Sequence, residues 1–511
     1  MLITLRLSLL AILCLLGASA AAADDPHDLS RRIAALKARS AALAAGIEKA
    51  EKRHAPHEAA RERSPPPTLL AAAAQTQAGL LGGTGPISWN GIALFGALDA
   101  GVAWQSHGVP LNGAFPQGLE YAVSKNGARA GFALAPGGLG YSGVGLRGAR
   151  EILPGLMAIF AGYTNFDLLS GQLSNGPASL IQNNGVPLAY QSANGDSRAA
   201  GQAFNDYLYV GLSSRSFGEL TFGRQRTLTT DDRAAYDPIS GSLAFSLLGY
   251  NGSLSSGDTE NSRFDEALKY RVSLGPAHFA AIYKFAAPAT GAGAANGATY
   301  QLSAGAEIGA LSFNAVYSHV SDAIALSPLS AAQMTVSPAN SLAATVSDNQ
   351  AVLVSARYTY ERLKLYLGYE YYAFKDPADT ILAPFVDYNG YAVSVAANDA
   401  FQYHDKIQQL VWTGLRYAYD SRLDFSLGYY HVWQNSYGSV SCATSRNNAV
   451  VKNASTCAGA EDALGLVAQY HFNENLQLYG GLMVSAVSGG MANGFLYPNS
   501  VDPMVGLRYV F

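Results

Sequence analysis

The chain has 511 residues, with 33 Lys and Arg against 37 Asp and Glu and a formal net charge of −4. Basic residues are scattered, which excludes a nucleic-acid footprint. Hydrophobic residues make up 49% and charged residues only 14%, well below the roughly one quarter charged that is usual in a soluble protein.

The amino terminus is a short positive region, Arg6, then an apolar run at 7–16, then Ala-Ser-Ala at 18–20 and Ala-Ala-Ala at 21–23. That order predicts a secretory signal peptide over 1–23. The run is shorter than the about 20 apolar residues a spanning helix needs. Cys14 is no lipid anchor, because Leu13 stands where such a cleavage site needs a small residue.

Leu29, Ile33, Leu36, Ser40, Leu43, Ile47 and Ala50 alternate spacings of four and three. This seam predicts a short coiled-coil helix over 24–63, with Asp28 or Ser30 at its start. Alone, such a helix is marginal in water, so it reads as an oligomerising coil. A solvated amphipathic helix, or one lying on a membrane surface, is the alternative. Ser64-Pro65-Pro66-Pro67 stops the helix, and a Pro/Ala/Gly-rich linker follows over 64–87.

From residue 88 to 511 helical spacing gives way to alternation. Leu423, Phe425, Leu427 and Tyr429 lie between Asp424, Ser426 and Gly428; Leu363, Leu365 and Leu367 share the parity opposite Lys364. A period of two sends one set to each face of a sheet. Turn signals at Gly275-Pro276, Gly309-Ala310, Glu361-Arg362, Asp420-Ser421 and 473–475 alternate with long Gly/Ser/Asn-rich segments. They leave sixteen strands, at about 91–104, 139–150, 155–166, 203–214, 218–226, 263–274, 277–287, 297–308, 311–320, 349–360, 362–373, 407–419, 422–434, 462–472, 476–486 and 502–511. The fold class is therefore all-β: a sixteen-stranded antiparallel transmembrane barrel in outer-membrane lipid, preceded by the coil. Lipid forbids unpaired backbone groups, so the sheet must close, and sixteen strands leave an aqueous lumen. In the last strand Val505, Leu507, Tyr509 and the terminal Phe511 share one parity, a pattern resembling the signal read by barrel-insertion machinery.

Export leads to an oxidising compartment, so Cys442 and Cys457 are expected to form a disulfide. Residues 143–148 match a dinucleotide-binding spacing, but that motif needs a following helix and here lies inside a strand. His54 and His57 have no third partner for a metal, and no cofactor pattern occurs. No histidine lies in a recognisable catalytic motif, so the chain reads as no enzyme; a barrel enzyme or a cell-wall tether is the remote alternative.

Residues 204–213 and 217–225, with 94–101, 145–148 and 263–270, resemble the trimeric general porins of Gram-negative bacteria, particularly the Burkholderia-type branch. The resemblance runs through most of 88–511 and omits the coil and linker. It implies an outer-membrane homotrimer, with the coil in the periplasm, passing small polar solutes by passive diffusion. It also implies an inward-folded third loop, about 227–262, making a charged constriction. Asp231, Asp232 and Asp237 of the loop would face Arg224 and Arg263 of the wall across a transverse field. Alternation adds Asp99, Arg147, Asp265, Lys269, Arg271 and Arg508 as lumen-facing, with Tyr366, Tyr372 and Tyr430 along the path. Arg224 shares parity with lipid-facing Leu220 and Phe222, so a bulge near Gly223 is needed to turn it inward. Gly143 stands where the family has an arginine, which keeps a substrate-selective channel as the second reading. Beyond residue 63 there are 23 basic against 30 acidic groups, a lean towards cations that the lumen charges can override.

Overall fold

A computed structural model describes residues 87–511 except for parts of the long connections, chiefly 107–129, 174–202, 250–261, 286–298, 327–341, 378–385 and 493–496. The expected signal peptide, the coil with His54 and His57, and all but the end of the linker lie outside the described residues.

Sixteen long strands form the sheet: β1 (Ile92–Gln105), β2 (Ser142–Leu153), β3 (Leu156–Phe166), β4 (Tyr207–Ser214), β5 (Gly218–Arg226), β6 (Arg263–Leu274), β7 (Ala277–Lys284) and β8 (Thr299–Ile308). Then come β9 (Leu311–Leu326), β10 (Leu342–Tyr360), β11 (Leu363–Lys375), β12 (Lys406–Ala418), β13 (Leu423–Gln434), β14 (Gly459–His471), β15 (Leu476–Gly489) and β16 (Asn499–Val510). Each pairs antiparallel with the next, and β16 returns to β1 through Asp99↔Arg508 and Val102↔Val505. Gly96 and Phe511 exchange backbone hydrogen bonds of 2.9 and 3.0 Å at the end of that seam. The sheet is a closed cylinder without a free edge, the arrangement the alternation predicts. Every one of the sixteen expected strands is present, although β9 and β10 run past their expected ends.

One parity of the strands is apolar and exposed, as at Val352, Val354, Leu365, Leu367, Leu464 and Leu466. Exposed apolar bands are costly in water and natural against hydrocarbon. The other parity is polar and buried at Gln301, Asn314, Ser355 and Glu370. Tight turns close one end of the cylinder, where Gly275 and Gly309 adopt φ of +64° and +62°, a conformation glycine enters without a Cβ penalty.

The inward face is not uniformly polar. Leu353, Leu410, Trp412, Val432 and Val487 share it, and they form one buried cluster with Leu228, Leu247 and Leu248 of the connection after β5. That connection lies inside the barrel and supplies the apolar cover these wall residues need.

Candidate functional site

The inward connection begins as a helix, α1 (Leu228–Tyr236). The sequence reading placed only a loop here, although Thr227 followed by Asp231 in the first turn is an N-terminal helix signal. Thr227 Oγ1 accepts from Thr230 N, and the wall completes the cap. Gln301 Oε1 on β8 accepts from the amides of Leu228 at 2.6 Å and Thr229 at 3.2 Å. These are orphan donors of the first turn, so the wall holds the helix by its backbone.

The acidic residues of the connection have two different fates. Asp232, 3% exposed, accepts from Asn314 Nδ2 and Ser355 Oγ, both at 2.7 Å. Asp237, 1% exposed, accepts from Tyr430 Oη and Gly241 N, each at 2.6 Å. Both were expected to face open water across the neck, and both are instead turned onto the β9–β13 wall. A carboxylate left without donors in this packed layer would be costly, so each one sits where the wall offers them. Burial pushes Asp232 up to about 6, against the lowering effect of its two hydrogen bonds. Arg233 meets Glu370 of β11 at 3.4 Å, both fully enclosed, and Trp412 Nε1 donates to Tyr236 O at 3.1 Å. Tyr366, Tyr372 and Tyr430, expected along the path, are buried, Tyr430 against Asp237 of the connection.

Asp231 turns instead onto β6. Lys269 Nζ donates to its Oδ2 at 2.6 Å, and Arg271 donates to the same oxygen. Burial works against the charge here, but the Lys269 and Arg271 cations still hold the carboxyl below its ordinary value. Beside it stands Glu219 of β5, 3.9 Å from Arg271.

Nearer the long-loop end, Asp206 takes two guanidinium groups: Arg226 Nε at 2.9 Å and Arg263 Nε at 2.8 Å, both on Oδ1. Burial opposes ionisation of Asp206, yet the two arginines hold it well below the usual carboxylate range. The expected bulge exists, but in β6. Its register slips by one residue between Gly223 and Gln225 of β5, and Glu266 takes φ of 51°. The slip breaks the parity that was to carry Arg263 and Asp265 inward with Lys269 and Arg271. Phe264 takes the inner position instead, joining the buried cluster. Arg224 pairs across to outward-facing Leu208. Its guanidinium donates to Asn205 O at 2.8 Å and to Asp265 Oδ1 at 2.5 Å, leaving 8% of the residue exposed. The Arg224–Asp265 pair clamps the strand end and does not line open lumen.

Asp99 and Arg508 are inward but bound to each other at 3.0 Å. Asp99 also accepts from the amides of Gly138, Leu139 and Gly140 and from Tyr479 Oη. Gly138 O in turn accepts from Ser242 Oγ at 2.7 Å, so the connection is tied at its far side as well. Arg147 lies on the inner wall of β2, its Cζ 5.0 Å from the Phe95 ring. Cys442 and Cys457 are bonded, with Cα atoms 5.6 Å apart, in the connection between β13 and β14.

What the connection presents to the lumen is therefore small and weakly charged: Ala234, Ala235 and Ser240 are exposed, and Thr230, Asp231 and Gly241 half-buried. Positive charge on the wall of β2, β5 and β6 stands at Arg147, Arg226 and Arg271. Arg226 and Asp206 escaped the sequence reading because they sit at strand ends, where alternation no longer fixes a face.

The sequence matches the family model described as Gram-negative porin over residues 68–490. An outer membrane porin protein of Bordetella pertussis is 26% identical over 206 residues, covering 40% of this chain and 45% of that protein. The match thus spans less than half of the curated relative. Among solved structures, an anion-selective porin from Comamonas acidovorans superposes with a TM-score of 0.53 at 15% identity, over 82% of this chain and 99% of that one.

Proposed function

The chain belongs to the Gram-negative porin family, and from that premise we propose that it forms a water-filled channel across the outer membrane for passive diffusion of small hydrophilic solutes and ions. The observation that carries the reading is the connection at 227–249, anchored by hydrogen bonds to the wall inside a closed sixteen-stranded barrel. Solutes enter among the long loops, pass the inward connection beside the Arg147–Arg226 wall, and leave at the short-turn end. Fixed charges in such a neck orient dipolar solutes and penalise apolar ones.

The assembly we propose is a homotrimer, with residues 24–63 as a periplasmic coil and the last strand engaging the insertion machinery. Support comes from the family and from the heptad seam. Planar-bilayer recording of the purified chain tests the channel: stepwise, ohmic conductance that scales with bulk salt is expected. A chain that inserts without steady conductance would overturn the reading. Cross-linking of a chain lacking 24–63 asks separately whether trimers need the coil.

A further inference from the structure

The lumen wall opposite the inward connection carries a row of aromatic rings. Phe95 of β1, Gly145 of β2, Tyr163 of β3 and Tyr207 of β4 are successive partners in register, so their side chains share one face. Phe95 and Tyr163 lie 5.4 Å apart between ring centroids with planes 30° apart; Tyr163 and Tyr207 are 5.7 Å and 21° apart. Tyr209 extends the row at 5.8 Å from Tyr207. All four residues are half-buried and lie on the inward parity of their strands.

The row exists because β2 has glycine beneath it. A Cβ on Gly143 would stand 2.5 Å from the Tyr163 ring, and one on Gly145 would stand 2.6 Å from the same ring and 2.8 Å from Phe95. The position that the porin resemblance assigns to an arginine is thus filled by the face of a tyrosine.

The row also carries an excess of positive charge. Arg147 and Arg226 stand over its rings, at 5.0 Å from Phe95 and 5.7 Å from Tyr207. Arg226 and Arg263 share the carboxylate of Asp206, whereas Arg147 has no ion pair among the described residues. Elsewhere on the wall Lys269 and Arg271 are matched by Asp231 and Glu219. Arg147 is 8% exposed, and its Nη1 has no hydrogen-bond partner among the described residues. A buried donor left unpaired is costly and invites an anion.

We propose that the strip formed by Phe95, Tyr163, Tyr207 and Tyr209, with Arg147 and Arg226, is a binding site for planar aromatic carboxylates that makes the pore selective for them. The ring of the solute stacks on the tyrosines, and its carboxylate meets the guanidinium groups, which offer paired N–H donors. An aliphatic anion gains only the second contact, and a neutral ring only the first. The proposal rests on the channel reading and deepens it.

The test is bilayer recording of the full chain in potassium chloride with benzoate, cyclohexanecarboxylate or acetate added. Benzoate is expected to block the chloride-salt current saturably, and more strongly than the other two. Tyr163→Leu and Phe95→Leu should raise the half-blocking benzoate concentration about 3- to 10-fold, each measured against that variant's own basal current, and far-UV circular dichroism checks that the variants are folded. Gly143→Arg, which displaces the Tyr163 ring, should abolish the preference for benzoate over cyclohexanecarboxylate. Equal block by all three anions, or unchanged benzoate block in conducting Leu variants, overturns the aromatic site and leaves the channel standing. Absence of any salt current in the unaltered chain overturns both.

Discussion

Asp99 and Arg508 stand directly opposite each other in the register that joins the first strand to the last, and Arg508 Nη1 donates to Asp99 Oδ2 at 3.0 Å. The same carboxylate gathers three consecutive amides, at 138–140, and the Tyr479 hydroxyl. One buried anion therefore ties the closing seam to the segment that supports the inward connection. Asp99→Ala should destabilise the folded barrel by about 3–5 kcal/mol, the usual effect of stranding the partners of a buried charge. Urea unfolding followed by tryptophan fluorescence measures this. A loss below about 1 kcal/mol would show that the amides and Arg508 find other partners.

The seam and strands were legible in the sequence because a two-residue period, once lipid faces one side, leaves a strand no freedom to rotate. The same logic failed at Arg263 and Asp265, where one extra residue at Glu266 exchanges the faces. Asp232 and Asp237 were read as pore charges from the porin resemblance and the acidic character of the loop. Their donors, Asn314, Ser355 and Tyr430, lie on strands 82 or more residues away, and only the folded barrel brings them together. The aromatic strip was invisible for a related reason. It depends on glycines in β2 lying under rings from β1 and β3, a relation across three strands.

Asp232 gives the inward connection a pH dependence with a defined sign. Its ordinary value of 3.8 is raised to about 6 by burial, so folding favours the protonated form. The anchoring it supplies is complete below about pH 4 and is lost as pH rises through 6. Open-channel noise, which reports motion of the connection, should increase between pH 4 and 6.5. Asp232→Asn, neutral throughout, should keep the low-noise behaviour across that range. An unaltered chain whose noise is flat with pH would show that Asp232 does not govern the anchor.

The Cys442–Cys457 bond closes 15 residues of sequence separation, and Gln434 Nε2 on the neighbouring strand end donates to Cys457 O at 2.8 Å. Chain-entropy arguments give such a closure about 3 kcal/mol. Because the bond lies at the long-loop end, away from Asp231 and the arginine wall, its effect should be confined to that loop. Cys442→Ser with Cys457→Ser should speed protease cleavage within 436–458 at least about tenfold, following the opened population of the loop, with single-channel conductance unchanged. Altered conductance would mean that this loop also shapes the path of the solute.

The connection is held by contacts of unequal kind, and their removal should rank accordingly. Tyr430 donates to Asp237 Oδ1 at 2.6 Å in a fully enclosed site. Tyr430→Phe deletes the donor but leaves Asp237 with the amides of Ile239 and Gly241, so the expected loss is about 1.5–3 kcal/mol. Glu370→Ala is different: it leaves the Arg233 guanidinium enclosed without its carboxylate, a change that costs about 3–5 kcal/mol. Because Arg233 lies on α1 itself, relief comes from moving the helix off the wall towards water. Single-channel records of Glu370→Ala should therefore show larger, slower current fluctuations than those of Tyr430→Phe. Replacing both partners, Arg233→Leu with Glu370→Leu, should restore quiet conductance, since matched apolar groups of similar volume remove the stranded charge. Should the double variant stay noisy, the hold on the connection comes from the specific geometry of the Arg233–Glu370 pair and not from the balance of buried charge.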